Sequence, residues 1–224
     1  MGLRELKKEQ TRQLIADTAW RLFADRGFDR VTVAEVAREA QVAEATVFNY
    51  FPTKEDLFYF RLEAFGARLL DAIRNRGADE PVIVAFRRYL LASQGALADI
   101  AVGEPGILEQ LRSVNHTIAA SPALRAREQQ MLAGYADSLA ALLAAEAGAP
   151  ADDITAHVAA NALMGAHRAL VDYVRRRALA DDAVERLASD VSNLAERAFA
   201  LLEKGLADYG RRNTAPPPPT PLHP

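Results

Sequence analysis

Along most of this chain apolar residues recur every three or four positions, the period of an amphipathic helix. No segment shows the sustained alternation of a half-buried strand. In TRQLIADTAWRLFADRG, the positions Leu14, Ile15, Thr18, Ala19, Leu22 and Phe23 form one stripe, and Gly27 follows as a C′ residue. Thr32 is placed to cap a short helix, VAEVAREA, and Glu35 three residues on completes a capping box. A turn at Gln41–Val42 leads into AEATVFNYF, which Pro52 stops. Thr53 caps the next helix with Asp56 at its third position, and that helix runs to about Arg76, where NRGADEP breaks the chain.

Beyond Pro81 the helical period resumes to about Ala101, and VGEPG breaks it with Pro105 at a first helical position. Ser121-Pro122 opens a long helix ending near Gly148. GAPADD opens the next, from about Asp152 to Ala178, and Asp181 opens the last, ending at Gly210. The remainder, RRNTAPPPPTPLHP, is a proline-rich tail over residues 211–224 with nothing to build a core, so a disordered, solvated tail is expected rather than an SH3-type ligand. The pattern predicts an all-α protein of about nine helices, with divisions at residues 1–53, 54–210 and 211–224.

The first three helices have the build of a helix-turn-helix, with a tight turn between the second and third. Ala37 is the small residue that lets those helices cross closely. Val42 follows five positions later, Val47 five beyond that, and Phe51 four beyond Val47 on the same side. Val47 and Phe51 therefore face inward, Thr46 and Tyr50 lie on a flank, and Ala45, Phe48 and Asn49 point outward. An aromatic-rich short helix without this spacing would be read as core; the spacing makes it two-faced.

Composition narrows the chemistry. Of 224 residues, half are hydrophobic and a quarter charged, enough for a substantial core, and the absence of cysteine excludes disulfides and thiolate metal sites and suits a cytoplasmic protein. The polar start MGLRELKKEQTRQ does not read as a signal peptide, and Leu6 breaks a Gly2 myristoylation pattern. No apolar run approaches the ~18 residues of a membrane span, so no membrane association is expected. The net charge of −3 is not that of a protein basic overall, and residues 1–60 hold nine basic against ten acidic residues, so any cationic surface is local. The cluster Arg4, Lys7, Lys8 and Arg12 reads either as a solvated helix start or as a contact to flanking phosphates. No HExxH, GxSxG, phosphate-loop or paired-acid motif is present, and the acidic pairs at 152–153 and 181–182 read as helix caps. No enzyme, metal site or cofactor is expected.

The segment LIADTAWRLFADRGFDRVTVAEVAREAQVAEATVFNYFPTKEDLF resembles the tetracycline-repressor (TetR) family of bacterial transcription factors, in its LFADRGF, TVAEVA and TVFNYFPTKEDL elements. The resemblance spans residues 10 to 60 and fades beyond. It implies a homodimer that binds palindromic double-stranded DNA through the head, with a larger helical domain for dimerisation and a small-molecule effector. Thr46, Tyr50 and Lys54 are then a phosphate clamp, joined by Thr32 at the start of the second helix, and such contacts set register without reading sequence. Glu44, Ala45, Phe48 and Asn49 stand where the family meets base edges: Asn pairs with adenine, Glu accepts from cytosine N4, and Ala and Phe touch a thymine methyl. This chain departs from the pattern in three places. Gln41 stands where the turn usually has glycine, Glu44 makes the reading end less cationic, and Phe48 lacks a hydroxyl many relatives carry.

Two stripes dominate the C-terminal half. One is Ala160, Leu163, Met164, His167, Leu170, Val171 and Val174; the other is Val184, Leu187, Val191, Leu194, Ala198, Leu201 and Leu202. Periodicity leaves two uses open, an intramolecular core and the four-helix dimer interface that the resemblance implies. His116, Tyr135, Asn161, Met164 and His167 are candidate effector contacts, with a satisfied buried histidine as the plainer reading of His167. The reading is a ligand-responsive repressor released by a small, mostly apolar molecule. Beside it stand an all-helical enzyme with a helix-turn-helix-like start and a DNA-binding protein without a ligand.

Overall fold

The computed structural model of the chain describes residues 2–92, 107–180 and 187–205. Among these are nine α-helices and one 3-10 turn, with no strand: α1 Leu3–Arg26, the turn Phe28–Arg30, α2 Val33–Glu39, α3 Glu44–Tyr50, α4 Lys54–Arg74, α5 Val82–Leu91, α6 Ile107–Ala120, α7 Pro122–Glu146, α8 Ile154–Leu179 and α9 Leu187–Lys204. The expected positions of Ala101, Pro105, Asp181, Val184 and Gly210, and the tail 211–224, lie outside the described residues.

Helix boundaries follow local chemistry. Gly27 ends α1 at φ 83°, its N–H on the Phe23 carbonyl at 2.8 Å. Both anticipated capping boxes form. Thr32 N–H and Oγ1–H donate to Glu35 Oε2 while Glu35 N–H donates to Thr32 Oγ1, and Thr53 and Asp56 repeat the arrangement at the start of α4. Ser121 caps α7 ahead of Pro122, and the Asp153 carboxylate accepts from Ala156 N–H at the start of α8. Such caps stabilise by about 1 kcal/mol each.

The turn between α2 and α3 is a Schellman motif. Val42 N–H reaches the Ala37 carbonyl at 2.9 Å and Gln41 N–H reaches Arg38 at 3.2 Å, with Gln41 at φ 57°. The same motif ends α7 with Gly148 at φ 64°. Gln41 thus occupies a left-handed position that glycine takes elsewhere in the molecule, at a cost of about 1–2 kcal/mol. Ala37, whose carbonyl closes the turn, is buried beneath it.

Two hydrophobic clusters organise the chain. The head cluster joins Ile15, Ala19, Leu22, Phe23, Phe28, Val36, Val47, Phe51, Leu57 and Phe58, and it also takes in Ile118 of α6 and Leu124 of α7. The body cluster joins α4 and α5 to α7, α8 and α9, with Leu69, Ile73, Phe86, Leu139 and Phe199 fully buried. Leu14 departs from the expected stripe of α1 and is 52% exposed. Successive residues sit about 100° apart around a helix, so with Ile15, Ala19 and Phe23 facing α4, the Leu14 side chain lies past the edge of the buried face.

The C-terminal stripes are used within the single chain. Ala160, Leu163, Met164, His167, Leu170 and Val174 are buried in the body cluster with Leu187 and Val191, and Leu194 and Leu202 pack against it. Among the described residues Leu201 is the stripe residue left exposed, and outside the stripes Ile154 at 72% and Val158 at 60% exposure on α8, with Leu179, are also at the surface.

Candidate nucleic-acid interface and a buried aromatic cluster

The outer face of α3 is built by what its inner face buries. Val47 and Phe51 are buried in the head cluster, and Phe51 stands edge-on to Phe60 with centroids 5.4 Å apart. That fixes the rotation of the helix. Glu44, Ala45, Phe48 and Asn49 are consequently exposed, Phe48 at 45%, while Thr46 and Tyr50 are half-buried on the flank. The placement agrees with the two-faced helix read from spacing. Exposing nearly half a phenylalanine ring beside an amide and a carboxylate gains nothing in folding, and it makes a surface suited to contact.

Thr32 is exposed at the start of α2, with its side chain engaged in the capping box. Lys54 is more constrained than its sequence suggests. Its Nζ donates to the carbonyls of Phe28 and Val31, both at 3.0 Å, and lies 4.2 Å from the Phe28 ring centroid. Two of the ammonium's three N–H donors are thus taken by backbone carbonyls. Of the basic cluster, Arg4, Lys7 and Lys8 are exposed, whereas Arg12 lays its guanidinium over the Phe60 ring at 4.5 Å. Nearby, Arg21 pairs with Glu39 at 2.9 Å, and Arg26 lies 3.4 Å from Glu35. Hydrogen bonds from Thr32 hold the Glu35 carboxyl below its usual range, and Arg21 does the same for Glu39, so both remain charged.

The base of α4 is tied to the body by contacts no local pattern announces. Asp56 caps Thr53 with one oxygen and accepts from Arg127 Nε on α7 at 2.6 Å with the other. Tyr59 is buried and donates its hydroxyl to the Leu124 carbonyl at 3.0 Å. Burial pushes that phenol's pKa up, with the Glu128 charge adding to the effect. Further in, Arg175 of α8 makes a paired contact with Glu128 of α7, at 2.6 and 3.0 Å, and donates to Asn115 of α6 at 3.0 Å.

Of the candidate effector residues, the structure gathers Tyr135, Met164 and His167 and leaves two apart. His167 stacks on Phe65 of α4 at 4.6 Å and 13°, and Phe65 also meets Tyr89 and Tyr135, at 5.5 and 6.1 Å. Met164 lies in the body core against which Phe65 and Tyr135 pack. The imidazole is buried, its Nδ1 has no hydrogen-bond partner, and burial lowers its pKa to about 4, so it is neutral at pH 7. The Tyr135 ring lies against α4 where Gly66 has no side chain; a Cβ there would run into the ring. Asn161 is exposed and bonds to the His157 carbonyl, and His116 is exposed on α6, so neither faces this cluster. Phe65 and Tyr89 were missed by sequence reasoning because both fit an ordinary core pattern. Among the described residues no group of three or more His, Asp or Glu is placed to hold a metal, and no helix is long and apolar enough to cross a membrane.

A helix-turn-helix head carried on a larger helical body defines the class of DNA-binding regulators built this way. The family model described as bacterial regulatory proteins, tetR family, matches residues 15–59, and one described as the MftR C-terminal domain matches residues 87–207, more than half of the chain. The chain belongs to the TetR family of DNA-binding transcription regulators. It is 28% identical over 153 residues to the transcriptional regulator TcmR of Streptomyces glaucescens, covering 68% of this chain and 67% of that one. It is 25% identical to the putative mycofactocin biosynthesis transcriptional regulator MftR of Mycobacterium tuberculosis, covering 71% and 77%. A match to LuxR of Vibrio harveyi is 52% identical but spans 22% of that protein. These relatives are named as regulators and not as enzymes. In fold it is similar to NalD of Pseudomonas aeruginosa, with a TM-score of 0.52 at 20% identity, covering 86% of this chain and 96% of that one.

Proposed function

We propose that this protein is a cytoplasmic, ligand-responsive repressor that binds palindromic double-stranded DNA as a homodimer and is released by a small, mostly apolar molecule. The observation that carries the reading is the outer face of α3, where Phe48, Asn49, Ala45 and Glu44 stand exposed on a helix whose other face is locked in the head. Asn49 and Glu44 read base edges, and Phe48 and Ala45 meet thymine methyls. Thr32, Thr46, Tyr50 and Lys54 hold phosphates. Two copies would meet through the faces of α8 and α9 that carry Ile154, Val158 and Leu201, since a closed two-fold pairing hides such residues and sets two heads at half-site spacing. The effector would enter the cluster around Phe65, Tyr135, Met164 and His167, where rings supply an apolar lining and the His167 Nδ1 one polar contact. Because α4 carries both Phe65 and Lys54, a displacement at its inner end is passed to the head.

The test is selection of operators from a random duplex pool, followed by binding of variants to the selected site. Asn49→Ala should relax preference at one position per half-site, by about 1–3 kcal/mol. Lys54→Ala should weaken all sites alike and lower the salt slope by about one charge. Absence of sequence-selective binding, or a monomer in sedimentation at saturating operator, would refute the reading.

A further inference from the structure

A cleft of about 330 Å³ opens between α1, α4 and α6, nearer the N-terminal end of α4 than the Phe65 cluster and sharing no residue with it. Its two walls differ in chemistry. One is aromatic, made by Trp20 and Phe23 of α1 and Phe58 of α4. Trp20 and Phe58 stand 5.5 Å apart, and Phe23 and Phe58 6.3 Å. The other is a polar stripe on α6, where Glu109, Ser113 and Thr117 recur every four residues and so share one face. Thr117 donates its hydroxyl to the Ser113 carbonyl at 2.8 Å, which leaves the oxygen free to accept. The Glu109 carboxylate is exposed and has no ion-pair partner among the described residues.

We propose that this cleft is a binding site for an amphipathic organic cation, an ammonium borne on an apolar or aromatic body. An anion would meet the Glu109 carboxylate. A neutral apolar molecule would cover the rings but strip water from that carboxylate without replacing it. A small hydrated cation would make only an exposed ion pair, which contributes little. A species with both parts uses both walls: its charge lies between Glu109 and the electron-rich indole face, and its body covers Phe23 and Phe58. The site is separate from the effector region proposed above and does not rest on it.

Trp20 is the single tryptophan of the chain, so its emission reports this cleft directly. The full chain is titrated with benzyltrimethylammonium and with its uncharged isostere, neopentylbenzene, by fluorescence and by calorimetry. The cation should give a saturable change at Trp20, and the neutral isostere should bind about tenfold more weakly. Glu109→Gln should weaken the cation by the same factor, the equivalent of one partly desolvated charge contact, and leave the isostere unaffected. Ser113→Phe, at an exposed position, should fill the cleft and abolish binding while the circular dichroism spectrum is retained. Equal affinity for cation and isostere, an unchanged Glu109→Gln, binding that survives Ser113→Phe, or no saturation at millimolar concentration would each overturn the assignment.

Discussion

The capping boxes and turn of the head join neighbours in sequence, whereas the tightest ion pairs of the body join helices far apart along the chain. Thr32 with Glu35 and Thr53 with Asp56 are three residues apart. Arg175 with Glu128, Arg175 with Asn115 and Arg76 with Glu146 are separated by 47, 60 and 70. The two halves are stabilised in different ways. The helix ends and turn of the head are each complete within a few residues, and the outer face of α3 is left exposed. The body is set by a few charged side chains that must find partners across the bundle, and its candidate recognition groups are enclosed by the same helices. Substitution in the head should therefore cost little locally, and substitution in the body should be felt globally.

The largest test of that contrast is Glu128→Ala. It leaves the Arg175 guanidinium, mostly buried, without its paired carboxylate, and removing one partner of a buried pair costs about 3–5 kcal/mol. Chemical denaturation should show a loss near the lower end, because both side chains keep some solvent. A loss below about 1 kcal/mol, the range of surface pairs, would place this contact with the exposed ones and erase the contrast.

His167 gives the next test, through pH. The folded protein holds the imidazole neutral until about pH 4, whereas the unfolded chain takes up the proton near pH 6.5. The unfolded state therefore binds more protons between these values. The contribution is fully present above pH 6.5 and is lost as pH falls toward 4, by about 3 kcal/mol. His167→Phe keeps a ring against Phe65 and removes the titration, so its stability should fall less over that interval than that of the wild type. Parallel curves for the two proteins would show that His167 is not held neutral by burial.

The smallest effect belongs to the head. Thr32→Ala removes one capping box and should cost about 1 kcal/mol, with Gln41 and the α2–α3 turn unaffected. A loss as large as that of Glu128→Ala, measured in the same denaturation series, would mean the head depends on long-range order as much as the body does.

The same difference in range explains what could be read beforehand. The capping boxes, the Gln41 turn and the inward Val47 and Phe51 are set by spacings of a few residues, so the outward set of Ala45, Phe48 and Asn49 followed from the sequence, and the family resemblance added Glu44. The partners of Arg175 and Asp56 depend on how α4, α6, α7 and α8 cross, which no local period encodes. Tyr135, Met164 and His167 were singled out, with His116 and Asn161, as candidate effector contacts, but Phe65, the ring that meets both Tyr135 and His167, looks like any other core aromatic until α4 is packed. Lys54 was legible as a cation beside the reading helix, while its bonds to the Phe28 and Val31 carbonyls were not, since they depend on where α4 meets the end of α1. The C-terminal stripes were read as apolar faces open to two uses, and only the packed structure shows most of their described residues turned inward, with Leu201, Ile154 and Val158 left at the surface.

The head is not a detachable cassette. Its hydrophobic cluster borrows Ile118 and Leu124 from helices that follow it by some sixty residues, Tyr59 ends on the Leu124 carbonyl, and Asp56 shares its carboxylate between the first turn of α4 and Arg127. A graft that moved residues 1–53 onto another regulator's body would carry the exposed face of α3 but would lose Leu57, Phe58, Ile118 and Leu124 from the cluster beneath it. A chimera that keeps this cluster whole must therefore place its seam beyond Leu124, within the body itself.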